Sequence, residues 1–205
     1  MTTKSEDIDR HNTKMAKKKN ARDKIMAGKT IEKGLIIVHT GKGKGKSSAA
    51  FGMIFRGIAH GLPTAVVQFI KGGMSTGERD LINGHFADRC QFHTMGEGFT
   101  WETQDKERDI AAATAAWEKA KELIVQDDMH MVLLDEINIA LRYGYIDEAE
   151  VIDFLTTQKP EMTHVVLTGR NASEALIEVA DLVTEMTLIK HPFRSGVKAQ
   201  IGVEF

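Results

Sequence analysis

Residues 40–48 read Thr-Gly-Lys-Gly-Lys-Gly-Lys-Ser-Ser and separate two segments of different periodicity. Before them, Leu35-Ile36-Ile37-Val38-His39 is a continuous apolar run rich in β-branched residues, the pattern of a strand covered on both faces. After them, Phe51, Ile54, Phe55 and Ile58 recur at i, i+3, i+4 and i+7, until Gly61-Leu62-Pro63 stops the helix. A strand that turns through glycines into a helix gathers backbone N–H groups and the positive end of the helix at one point, which suits a polyphosphate. Lys46 adds a charge there, and the Ser47 hydroxyl is placed to ligate Mg²⁺. A flexible Gly/Lys linker fits badly, because ordered elements flank the loop immediately. The general P-loop pattern has a glycine six residues before the lysine, and here that position is Thr40. The loop is one residue short, with Gly41, Gly43 and Gly45 in alternation.

The rest of the chain repeats the alternation of short apolar runs with helical periods. Ala65–Ile70 predicts a second buried strand and completes a βαβ unit, which implies a right-handed crossover and a parallel sheet. Residues 74–103 are polar and aperiodic and read as loops. A helix is expected over 110–125, with Trp117, Leu123 and Ile124 on its packed face. Met131-Val132-Leu133-Leu134-Asp135-Glu136 reads as a third strand ending in two acids. Asp147 with Glu150 resembles a capping box opening another helix. A strand at Val165–Thr168, a helix near 173–180 and strands over 182–189 and 197–203 finish the pattern. The expected fold is an α/β, P-loop (RecA-like), doubly wound and mostly parallel sheet, with ligands beyond the carboxyl ends of the strands.

Composition narrows the setting. The 205 residues are 42% hydrophobic and 27% charged, which excludes fibrous and wholly disordered classes. No apolar run approaches the roughly 18 to 20 residues that cross a bilayer, and no signal-peptide pattern opens the chain, so a cytoplasmic protein is expected. Lone Cys90 closes no internal disulfide. Residues 1–33 hold 10 Lys+Arg against 5 Asp+Glu, net +5, which leaves net −7 for residues 34–205. The sequence therefore divides into a basic N-terminal arm, 1–33, expected to be flexible, and a P-loop domain, 34–205. The lysines at 17–19 read as a solvated segment rather than a nucleic-acid contact.

Three further motifs carry chemistry. Asp135-Glu136 resembles a Walker B ending, in which a carboxylate holds Mg²⁺ directly or through water. Gly98-Phe99-Thr100-Trp101 puts two aromatics in a polar stretch, either as a loop anchored on the core or as an apolar plate for a flat ligand. Arg170, after Thr168-Gly169, is a phosphate clamp or a surface ion-pair residue. His191 and Cys90 read as structural or solvated.

Taken in order, Thr40–Gly52, Val67-Gln68-Phe69-Ile70-Lys71-Gly72, Gly77-Glu78-Arg79, Gly98–Trp101, Leu133–Glu136, Thr168-Gly169-Arg170 and Gly196–Gly202 resemble the CobA/BtuR family of ATP:corrinoid adenosyltransferases. The resemblance runs from about Gly34 to Phe205. It implies a P-loop α/β homodimer that moves the 5′-deoxyadenosyl group of ATP onto cobalt(I) of a corrinoid such as cobalamin, releasing triphosphate, in adenosylcobalamin biosynthesis or salvage. It also implies that ATP lies in the opposite sense to ordinary P-loop NTPases. Carried over by position, Gly41, Lys42, Gly43, Lys44, Gly45, Lys46, Ser47, Ser48 and Arg170 hold the nucleotide. Ser47 and Glu136 face Mg²⁺, or Mn²⁺ in its place, and Lys46 and Glu136 act in catalysis. Phe99 and Trp101 take the lower face of the corrinoid and leave cobalt four-coordinate. The resemblance further implies a flavin- or flavodoxin-type reductant that donates the electron reducing cobalt(II) to cobalt(I). Partners from the membrane or nucleic acid are not expected. Departures from the family are Lys42 where relatives often have Asn, Ser47-Ser48 for Thr-Thr, and a few extra residues before Gly98. The competing reading is a P-loop ATPase switch that binds nucleic acid through the basic arm.

Overall fold

A computed structural model describes residues 4–70, 76–95 and 105–204. They fall into two units, one up to Glu32 and one from Lys33 onward. In the first unit, Lys4–Ala27 is one α-helix, α1. Composition leads to the expectation of an arm that is frayed or helical only on docking; residues 4–27 contain neither Gly nor Pro and are rich in helix formers. The helix stops at Gly28, whose N–H bonds to the Ile25 carbonyl at 3.2 Å.

The second unit is a six-stranded parallel sheet. Its strands are β1 (Ile36–Thr40), β2 (Thr64–Gln68), β3 (Cys90–Thr94), β4 (Met131–Asp135), β5 (His164–Thr168) and β6 (Leu182–Glu185). They lie in the order β3-β2-β4-β5-β1-β6. The helices are α2 (Lys46–Ala59), α3 (Gly77–His85), α4 (Lys106–Ile124), α5 (Ile137–Arg142), α6 (Glu148–Thr157) and α7 (Glu174–Val179). This is the doubly wound, parallel architecture expected from the alternation of elements. The strand β5 lies between β1 and β4, pairing Val38 with Leu167 and Leu134 with Leu167.

The two-residue period of the strands sorts the core into two layers. Ile36, Val38, Val67, Val132, Leu134, Val165 and Leu167 pack on one face with Trp117 and Leu123 of α4 and Leu155 of α6. Ile37, Val66, Leu133 and Val166 pack on the other with Ala50, Phe51, Ile54 and Ile58 of α2 and Ile82 of α3. Strands buried on both faces need no polar alternation, and so the central ones read as unbroken apolar runs.

Three differences from the sequence expectation have local causes. Residues 77–85 and 90–94 form α3 and β3, not loops, because β3 is an edge strand with only Cys90 fully buried and α3 buries only Ile82. Residues 197–203 form no strand; after a single turn of 3₁₀-helix at Pro192–Ser195 the chain is irregular over 197–200 and makes turns at 201–204. Asp147 does cap α6, accepting from the Ala149 N–H at 3.0 Å. Glu150 does not close the box, because its carboxylate accepts the Trp117 indole N–H at 2.9 Å.

Candidate nucleotide site

The carboxyl ends of β1, β4 and β5 converge on one cleft. At the end of β1 the loop takes two left-handed turns, Gly41 at φ +97° and Gly45 at φ +106°, which only glycine adopts without strain. The loop is also pressed against the chain that follows β6. Gly43 donates its N–H to the Met186 carbonyl at 2.6 Å. A Cβ on Gly43 would lie 2.7 Å from the backbone oxygens of Met186 and Thr187.

The helix α2 starts at Lys46 with no side-chain cap and no acid in its first turn. By contrast α3, α4, α6 and α7 are capped by Thr76, Asp105, Asp147 and Ser173. The first-turn N–H groups of α2 and the positive end of its dipole are thus left for an anion. Lys46 is 7% exposed and donates through Nζ to the Gly43 carbonyl at 2.6 Å. Burial lowers its pKa, with the charges of Arg170 and Lys44 acting in the same sense and those of Glu136 and Asp135 opposing.

The strand-end acids take different orientations. Asp135 is fully buried, accepting from Gln68 Nε2 at 3.0 Å and from the Thr168 hydroxyl at 2.8 Å. Glu136 follows at φ +64°, a conformation that costs a non-glycine residue about 1 kcal/mol or more. That bend takes its side chain out of the sheet and into the cleft. Gly169, at φ +130°, makes room: a Cβ there would be 2.8 Å from Asn138 Cβ and 3.3 Å from Glu136 Oε2.

The cleft has a volume of about 580 Å³, within the usual range for small-ligand sites. Gly43, Lys44, Gly45, Lys46, Ser47, Ser48, Glu136 and Arg170 all line it. Gly41 and Lys42 do not: Gly41 is buried against Met186, and Lys42 is exposed to solvent. Phe99 and Trp101 lie outside the described residues. The sequence reading missed Phe55 and Leu81, which form an apolar wall, and the 202–204 stretch, where Glu204 pairs with Lys44. It also missed Gln68 and Thr168; a polar Gln inside Ala65–Ile70 was the available signal. Among the described residues no three His, Cys, Asp or Glu side chains cluster to hold a metal ion by themselves. The Ser47 hydroxyl and the Glu136 carboxylate, both lining the cleft, fit an ion carried mainly by substrate phosphates, as Mg²⁺ commonly is.

A parallel sheet with an uncapped glycine loop, a buried lysine and a strand-end carboxylate at one edge defines a P-loop nucleotide-binding α/β protein. Residues 32–205 match the family described as ATP:corrinoid adenosyltransferase BtuR/CobO/CobP. The chain is 76% identical over 196 residues to a corrinoid adenosyltransferase of a Sinorhizobium species, spanning 96% of this chain and 92% of that one. It is 50% identical to the Pseudomonas aeruginosa corrinoid adenosyltransferase over the full length of both. It is 41% identical to that of Escherichia coli K12 over 197 residues, 96% of this chain and 98% of the other. The chain belongs to the ATP:corrinoid adenosyltransferase family.

Proposed function

We propose that the cleft binds ATP through its triphosphate and that the enzyme transfers the 5′-deoxyadenosyl group to cobalt(I) of a corrinoid. The carrying observation is the convergence of Lys46, Ser47 and Glu136 on one cleft beneath the uncapped start of α2. Cobalt(I) attacks C5′ of ATP, a cobalt–carbon bond forms, and the C5′–O bond breaks with its electron pair leaving on triphosphate. No general base is needed. The chain holds the reactants in line and offsets the negative charge that grows on the leaving oxygen. Lys46 and the first-turn N–H groups of α2 face that charge. Ser47 and Glu136 would hold Mg²⁺ or Mn²⁺, which would neutralise phosphate charge when bound. Phe99 and Trp101 are read as the aromatic face beneath the corrinoid.

Family membership favours this reading over a nucleic-acid-stimulated ATPase. No described helix is long and apolar enough to cross a membrane. The wider reading is a cytoplasmic homodimer with a basic N-terminal arm, served by a flavin- or flavodoxin-type reductant. The test is to incubate the protein with ATP, Mg²⁺ and chemically reduced corrinoid. Triphosphate release with a light-sensitive cobalt–carbon product supports the reading; release of ADP or of phosphate alone overturns it.

A further inference from the structure

The buried polar groups beneath the cleft form a connected chain. Thr94 of β3 donates its hydroxyl to Gln68 Oε1 at 3.5 Å, and Gln68 donates through Nε2 to Asp135 Oδ2. The Glu136 N–H donates to Thr168 Oγ at 2.9 Å, so the Thr168 hydroxyl proton is committed to Asp135 Oδ1. Just beyond them, Asn138 Nδ2 donates to the Gly169 carbonyl at 3.1 Å. Four neighbouring strands are thereby tied at their carboxyl ends. The tie falls where Glu136 leaves the sheet with positive φ.

We infer that Thr168, with Gln68, is a positioning residue that sets the direction of Glu136 toward the metal of the bound nucleotide. Thr168 pins the backbone of Glu136 directly, and Gln68 holds Asp135 so that the preceding residue cannot turn. A nonpolar strand end at position 168 would leave the Glu136 N–H and Asp135 Oδ1 without this partner at once. Neither residue touches the cleft, so both act through Glu136. The inference rests on the reading of Glu136 as a metal-facing group.

The test uses the full chain with ATP as the probe, titrated with and without Mg²⁺, together with the electron paramagnetic resonance spectrum of Mn²⁺ added with ATP. Thr168→Val should leave metal-free ATP affinity unchanged and cut the Mg²⁺-dependent gain by about tenfold, the usual scale for a residue that orients a metal ligand. The Mn²⁺ spectrum should change with it. Thr168→Ser, which keeps both hydrogen bonds, should restore the gain. Gln68→Met gives the same readout if Thr168→Val does not fold. A folded Thr168→Val or Gln68→Met with the wild-type Mg²⁺ gain overturns the inference. Glu136→Gln separates the two failures. If it loses the gain while the others keep it, only the positioning role fails; if it too keeps the gain, the metal reading fails.

Discussion

Lys46 folds back over its own loop, its ammonium donating to the Gly43 carbonyl at 2.6 Å. That contact fixes the amine within the cleft while burial disfavours its charge. Lys46→Met should therefore leave the melting temperature of the nucleotide-free protein unchanged or raised. Adenosylation at saturating ATP should fall roughly 10²- to 10³-fold, the scale for one charge-stabilising donor. Wild-type turnover would remove Lys46 from phosphate binding.

Two glycines distinguish loop from helix. Gly43→Ala forces a Cβ against the backbone of residues 186 and 187 and should cost about 1–3 kcal/mol. Its ATP affinity should fall as well. Gly52, exposed inside α2, meets nothing within 4 Å, and Gly52→Ala should stabilise by about 0.5–1 kcal/mol. Chemical denaturation measures both; equal signs would contradict the packing described for the loop.

The ion pair between Lys44 and Glu204 sets a carboxylate at the mouth of an anion site. Exposed pairs of this kind contribute up to about 1 kcal/mol. Glu204→Gln should tighten ATP binding by roughly 1.5- to 5-fold at low salt, with the difference vanishing at high salt. Calorimetric titration at two ionic strengths reads this, and weaker binding would instead make Glu204 a nucleotide contact.

At the opposite end of the sheet, His164 Nδ1 accepts the Leu35 N–H at 3.1 Å and must be unprotonated to do so. Burial lowers its pKa below the usual 6.5, and the charges of His130 and Lys159 push the same way. The unfolded chain binds the proton first on acidification. The stabilisation is therefore complete above about pH 6.5 and lost as pH falls toward the lowered value, with a slope of at most about 1.4 kcal/mol per pH unit. His164→Asn, whose Oδ1 replaces Nδ1 as acceptor, should flatten that slope. An identical pH profile of stability would count against His164 as its source.

Trp101→Ala should cripple turnover that starts from cobalt(II) with a mild protein reductant, and do much less when cobalt(I) is supplied chemically. Equal losses in both assays with a lowered melting temperature would make Trp101 a structural anchor.

What the sequence made readable was whatever local pattern controls. The loop, β1 and α2 announce themselves because Gly41 and Gly45 need positive φ and the flanking residues are buried. Asp135 and Glu136 stood out as a pair of acids, but their division of labour depends on the bend at Glu136 and on Thr168, a partner 32 residues from Glu136 and 33 from Asp135. The edge strand β3 was missed because Gln91, His93 and Thr94 are only half covered and so carry no two-faced apolar signal. Residues 197–203 carry an alternation like that of a strand, yet Val197, Ile201 and Val203 are all exposed. The contact of Lys44 with Glu204 joins nearly opposite ends of the chain, which no local periodicity can report.

Because the glycine loop leans on residues 186 and 187 and the cleft is lined by residues 202–204, its walls come from early and late parts of the chain. During synthesis on the ribosome, a nascent chain that has emerged only through β5 has its loop, its lysine and both strand-end acids. It lacks the segment that braces the loop and the segment that lines the mouth. The residues that face the cleft from the loop and the strand ends thus lie before position 171, while those that brace the loop and line the mouth lie after position 185.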